Sequence, residues 1–157
     1  MNAARNFIVN KGFNSVLASL YQRQASLLCT FTQQWTEAEY DKRAEETLMA
    51  LTEFMDELPE RLNTDKAYDI SYSMGVLTAH ISPDIGTYVI NKQTPNKQIW
   101  LSSPISGPKR YDLSDSYRWV YKHDGVSLHE LLEKEFREIY KTDQIMLGNL
   151  FSKIKSK

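Results

Sequence analysis

The chain carries one cysteine in 157 residues, Cys29, so it can form neither an intramolecular disulfide nor a Cys-rich zinc site. Six glycines and five prolines are too few for a collagen-like or low-complexity chain. No apolar run approaches the roughly 20 residues of a transmembrane helix, so no membrane insertion is expected. There is no Gly-x-Ser-x-Gly turn, no His-x-x-x-His pair, no Gly-rich phosphate loop and no dinucleotide fingerprint. The three histidines, His80, His123 and His129, are scattered, and each reads as structural or solvated. No catalytic residue is assigned. An apolar content of 41% is too high for a disordered chain, and the length fits one domain with a sizeable core.

The net charge of −1 conceals a strong asymmetry. Residues 1–36 hold Arg5, Lys11 and Arg23 and no acid. Residues 37–84 hold twelve acids against four bases, and residues 85–157 hold twelve bases against eight acids. The acid-free leader is dotted with serine, and its apolar residues are interspersed, which reads as an organelle transit peptide over 1–33 or a disordered leader. A domain over 34–145 and a tail over 146–157 complete the expected organisation. The basic residues of the second half are spread out beside an acidic neighbour, so a nucleic-acid partner is not expected.

Two capping boxes mark helices. Thr36 and Glu39 can satisfy each other's orphan backbone N–H groups, with Trp35 and Tyr40 as a hydrophobic staple. Apolar residues then recur at Tyr40, Ala44, Leu48, Leu51, Met55 and Leu58, which predicts a helix over about 37–58 ended by Pro59. Ser127 and Glu130 repeat the box, with Val126 and Leu131 as staple. Between them, β-prone runs near 67–73, 75–82, 86–91, 97–102, 109–113 and 117–121 are separated by short turns. Links that short favour an antiparallel meander. The expected fold is therefore α+β: a two-layer sandwich with both helices on one face of an antiparallel sheet of about six strands.

Two features could carry function. Glu37, Asp41 and Glu45 stack at i, i+4, i+8 beside Glu46, and Glu53, Asp56, Glu57 and Glu60 continue along the helix, with Asp69 at the first strand. Like charges at that spacing cost a few tenths of a kcal/mol per pair. Carboxylates without an obvious counter-charge suit a loosely held hard or borderline cation, although a solvated helix face stays open. The second feature is Gln98-Ile99-Trp100-Leu101-Ser102. Alternation puts Ile99 and Leu101 on one face and Trp100 among polar groups on the other, as an interaction hot spot or a partly covered surface aromatic.

The run Gly86-Thr87-Tyr88-Val89-Ile90-Asn91-Lys92-Gln93-Thr94-Pro95-Asn96-Lys97-Gln98-Ile99-Trp100-Leu101-Ser102-Ser103-Pro104, continued by Ser106-Gly107-Pro108-Lys109-Arg110-Tyr111-Asp112, resembles the signature of the frataxin family. Supporting blocks are Ala44-Glu45-Glu46-Thr47-Leu48, Gly75-Val76-Leu77-Thr78 and His123-Asp124-Gly125-Val126-Ser127-Leu128, and the likeness spans about 37–141. Lys66 and Ala67 depart from it where relatives often carry acids. The resemblance implies a mitochondrial matrix protein that binds iron (Fe2+/Fe3+) weakly at surface carboxylates and regulates iron–sulfur cluster assembly. It implies docking on a cysteine desulfurase complex and its scaffold protein, with ferrochelatase a further candidate partner. It implies a monomer able to form iron-dependent oligomers, and the alternative it carries is a ferroxidase with an iron chaperone or storage role. Transferred by position, the metal ridge is Glu37, Asp41, Glu45, Glu46, Glu53, Asp56, Glu57, Glu60 and Asp69. The partner-binding surface is Asn91, Gln93, Gln98, Trp100, Ser102 and Arg110.

Overall fold

The computed structural model describes residues 35–148 and Leu150. The expected leader, with Cys29, and most of the expected tail lie outside the described residues. Helix α1 spans Glu37–Asp56. Its capping box forms as the sequence demands: the Glu39 N–H donates to Thr36 Oγ1 at 3.2 Å, and the Thr36 N–H donates to Glu39 Oε2 at 3.0 Å. Trp35 and Tyr40 are both buried, as the staple requires. The helix ends sooner than expected, with Glu57 as its C-cap. Pro59 opens a one-turn helix, α2 (Leu58–Arg61), instead of merely closing α1. A first-turn proline lacks an N–H that would be unpaired there anyway.

Six strands follow: β1 (Asp69–Ser73), β2 (Val76–Ser82), β3 (Gly86–Gln93), β4 (Gln98–Ser103), β5 (Gly107–Leu113) and β6 (Trp119–Tyr121). They pair in sequence order, antiparallel throughout. A single 3-10 turn, Thr94–Asn96, links β3 to β4. β6 starts later than expected, because Tyr117 adopts the left-handed region at φ 59° and breaks the extended run. Helix α3 spans Leu128–Tyr140 behind the second capping box, where the Glu130 N–H donates to Ser127 Oγ at 3.3 Å. Its expected staple fails on one side. Val126 stays exposed, its N–H and carbonyl engaged by Asp124 Oδ1 and the Tyr121 N–H.

One face of the sheet packs on α1 and α3. Leu77, Ala79, Ile81, Tyr88, Ile90, Ile99, Leu101 and Tyr111 meet Ala44, Leu48, Leu51, Met55, Leu132 and Phe136 in one core. Full burial of each aliphatic side chain contributes about 1.5–3 kcal/mol. Directed bonds fix how α1 lies on the sheet. Tyr40 Oη donates to the Gln98 carbonyl at 2.7 Å, and Trp119 Nε1 donates to Thr47 Oγ1 at 2.9 Å. The core also takes in Ile145 and Leu147, where Arg137 Nε donates to the Ile145 carbonyl and the Leu147 N–H donates to Glu133 Oε2.

A carboxylate lies inside this core. Glu135 of α3 is 3% exposed, and its Oε2 accepts from Tyr88 Oη at 2.8 Å and from Ser103 Oγ at 2.7 Å. Ser103 Oγ accepts in turn from the Ile105 and Ser106 N–H groups, so Glu135 pins the β4–β5 turn from within. Burial, then the Glu135 carboxylate, push the Tyr88 hydroxyl well above the usual phenol range.

Candidate functional site: an acidic helix and an open sheet face

The exposed side of α1 carries the expected acids, but they do not form a uniform ridge. Lys92 of β3 reaches across, its Nζ 2.8 Å from Asp41 Oδ1 and 2.9 Å from Glu45 Oε2. Tyr72 Oη of β1 donates to Glu45 Oε1 at 2.6 Å. The Tyr72 hydrogen bond, then that from Lys92, hold the Glu45 carboxyl below its ordinary range. Hydrogen bonds to Asp41 and Glu45 push the Lys92 ammonium well above the usual lysine value. Arg43 pairs with Glu46 at 3.2 Å, and Arg61 pairs with Glu57. The expectation of carboxylates without counter-charge is thus corrected for Asp41, Glu45, Glu46 and Glu57. The counter-charges come from a strand distant in sequence and from helix neighbours.

Among the described residues, no ion pair engages Glu37, Glu53, Asp56 or Glu60. Asp69 does not join them. Ile70 and Tyr72 turn toward the helices, so alternation puts Asp69 on the opposite face, in register with His80. Among the described residues, no three His, Cys, Asp or Glu side chains converge closely enough to hold a metal ion. A cation on α1 would therefore keep most of its water and be bound weakly.

The sheet face away from the helices gathers all six expected partner-binding residues. Asn91 pairs with Trp100, Gln93 with Gln98, and Trp100 with Arg110, and Ser102 follows along β4. Ile99 and Leu101 are buried on the other side, as alternation predicts. Trp100 is half-buried rather than a fully exposed anchor. The Arg110 guanidinium lies 4.4 Å from its ring centroid, a cation–π contact. Trp100 Nε1 donates to Gln98 Oε1 at 3.0 Å, and Gln98 Nε2 donates to Asp112 Oδ1 at 2.7 Å. Gln98 therefore orients the indole within the chain. The satisfied N–H and stacked arginine present a rigid aromatic edge.

Beside Trp100, a groove of about 390 Å³ is lined by Gln98, Pro108, Lys109, Arg110, Tyr121, Lys122 and His123. Lys109 Nζ sits 4.6 Å from the Tyr121 ring centroid and 3.7 Å from Asp124 Oδ2. Sequence reading gave Lys109, Tyr121 and Lys122 no role and took His123 as structural or solvated, because the groove joins β5 to the β6–α3 connection. Their only sequence signal was the excess of bases over acids in the second half, spread along the chain. The other histidines stay structural. His80 Nδ1 hydrogen-bonds Thr87 Oγ1 at 2.9 Å, and His129 is buried, its imidazole pushed down to about 3 by desolvation and then by Arg118.

Comparison with known proteins agrees with this fold. A family model described as "Frataxin-like domain" matches residues 33–142. The chain is 50% identical over 111 residues to mitochondrial frataxin of Caenorhabditis elegans, covering 71% of this chain and 82% of that protein. It is also 50% identical over 111 residues to the mitochondrial frataxin homolog of Drosophila melanogaster, covering 69% of this chain and 58% of that protein. A trimeric frataxin from Saccharomyces cerevisiae, complexed with ferrous iron, is 37% identical with a TM-score of 0.51, over 76% of this chain and 98% of that one. Both curated relatives are named as mitochondrial, and the localisation of this chain is mitochondrial with theirs. A domain match over most of the chain, half-identical relatives and the shared α+β fold show that the chain belongs to the frataxin family.

Proposed function

We propose that this chain is an iron-binding regulator of iron–sulfur cluster assembly in the mitochondrial matrix, acting by docking on the cysteine desulfurase–scaffold complex. The observation that carries this reading is the convergence of Asn91, Gln93, Gln98, Trp100, Ser102 and Arg110 on one face that, among the described residues, no helix covers. An aromatic with its N–H satisfied and an arginine stacked on it needs little reorganisation on binding, as an interface hot spot requires. The adjoining groove, with Lys109, Arg110 and Lys122, suits a partner surface that is acidic around an apolar centre. Iron is cargo in this reading, carried as hydrated Fe2+ on the carboxylates of α1, and the yeast relative's ferrous complex supports it. Glu53, Asp56 and Glu60 lack ion-pair partners among the described residues and are the strongest candidates to carry it.

The reading is tested by desulfurase turnover with the scaffold protein present. Adding this chain is expected to raise turnover, and no change would refute docking as its role. In parallel, the variant Glu53→Gln/Asp56→Asn/Glu60→Gln is expected to weaken Fe2+ binding while remaining folded. Binding in the parent should fall steeply with added salt, since exposed charges are screened within about 8 Å at physiological ionic strength. Unchanged iron affinity in the variant would remove the helix from the metal site.

A further inference from the structure

We propose that Lys92 is a specificity-determining residue, an intramolecular cation that occupies the Asp41–Glu45 end of α1 and confines metal to the Glu53–Glu60 end. This deepens, and rests on, the reading of α1 as the iron-carrying surface. The lysine is built into its place. Its N–H donates to the Gly75 carbonyl at 3.0 Å, anchoring the backbone beside the β1–β2 turn. Gly75 lies under the lysine stem. A Cβ there would come within 2.8 Å of Lys92 Cε and 2.9 Å of Cγ, so a glycine is what lets the stem lie flat and aim its ammonium at α1. The Lys92 side chain is 22% exposed, against 50% for Asp41 and 38% for Glu45, so the cation sits on the inner side of the carboxylates it bridges.

The arrangement leaves little for a metal to use at that end. Both Glu45 oxygens are taken, one by the ammonium and one by Tyr72 Oη, and Asp41 gives one of its oxygens to the same ammonium. A divalent cation would have to displace an ammonium held by two charged hydrogen bonds, and would then sit beside that positive charge. At the other end Arg61, an exposed side chain, pairs with Glu57 alone, and among the described residues no ion pair engages Glu53, Asp56 or Glu60. The chain thus makes two unlike ends out of one acidic helix face.

The probe is Mg2+, an oxygen-seeking diamagnetic ion whose binding shifts only the resonances of the residues it touches in the full chain, a readout local enough for two ends about 12 Å apart on one helix. In the parent, shifts are expected at Glu53, Asp56 and Glu60, with Asp41 and Glu45 spared. Lys92→Met is expected to add shifts on titration at Asp41, Glu45 and Tyr72. Two partly exposed ion pairs are each worth up to a few-fold, so Mg2+ should bind there about tenfold tighter than in the parent. Lys92→Arg, which keeps the charge, should leave that end closed, and Asp41→Asn/Glu45→Gln in the Lys92→Met background should abolish the gain. Parent shifts at Asp41 and Glu45 equal to those at Glu53–Glu60 overturn the proposal, and they do so even if Lys92→Met fails to fold. If the parent shows shifts only at Glu53–Glu60 and Lys92→Met adds none, the lysine block falls while the iron-carrying helix stands. If the parent shows none along α1 but Lys92→Met gains them, the block stands and the iron-carrying helix falls.

Discussion

Gly75→Ala should destabilise the domain by a predictable amount, because the glycine is required twice over. Its φ is +77°, a left-handed conformation that costs an L-residue about 1–2 kcal/mol. The new Cβ would also meet Lys92 Cε and Cγ at 2.8 and 2.9 Å, and displacing the stem breaks the bridges to Asp41 and Glu45. Partly exposed pairs of this kind contribute about 0.2–1 kcal/mol each. Together the loss is about 2 kcal/mol, which at about 4 °C per kcal/mol for a domain of this size lowers Tm by about 8 °C. Thermal unfolding followed by circular dichroism reads it directly. In a Lys92→Ala background the steric part vanishes, and the same substitution should cost only the backbone contribution. A Gly75→Ala substitution that lowers Tm as much in the Lys92→Ala background as in the parent would refute the close packing of Lys92 on Gly75.

Two further perturbations test the interior. Glu135→Ala leaves the Tyr88 and Ser103 hydroxyls without their buried acceptor and should cost about 3 kcal/mol. Glu135→Gln, which keeps an acceptor oxygen, should cost clearly less, and urea midpoints for the two variants check the order. Acid should act through His129, whose folded pKa of about 3 lies below the ordinary 6.5. Between those values the unfolded chain binds the extra proton, so this group's contribution is complete above pH 6.5 and is lost at about 1.4 kcal/mol per pH unit as pH falls. Glu130, held down to about 2 by the Ser127 N–H and then by Arg118, adds acid sensitivity only below its ordinary 4.5. His129→Asn should therefore flatten the stability profile between pH 6.5 and 4.5, and an unchanged slope there would remove His129 as its cause.

The layers of the fold were legible because their signals are local. Thr36–Glu39 and Ser127–Glu130 act within one helical turn, and both boxes form. Alternation along Gln98–Ser102 fixes which face is buried without knowledge of the partner strands, and Ile99 and Leu101 are buried as that pattern demands. Pairing across the molecule was not legible. Lys92 is one base among many until the β3 register brings it to α1, 51 residues before it. Asp69 looked continuous with the helix acids because it is acidic and follows them, yet a period of two turns it to the other face. Glu135 stands at the spacing of the buried face, three residues after Leu132 and seven after Leu128, but its charge argues against burial, which only Tyr88 and Ser103 make tolerable. The groove beside Trp100 escaped notice for the same reason, since Lys109 and Lys122 meet only across the folded sheet edge.

The central claim, that the open sheet face docks on the cluster-assembly machinery, is tested most directly by Trp100→Ala measured two ways. The indole is half-buried and stacks on Arg110 outside the core, so its removal should cost about 1 kcal/mol of stability, a fall in Tm of about 4 °C. As a hot spot it should cost on the order of 2 kcal/mol of affinity for the scaffold complex, about 30-fold, with desulfurase activation lost at concentrations where the parent activates fully. The account predicts a folded variant that no longer activates. A folded Trp100→Ala protein that activates as well as the parent would contradict it.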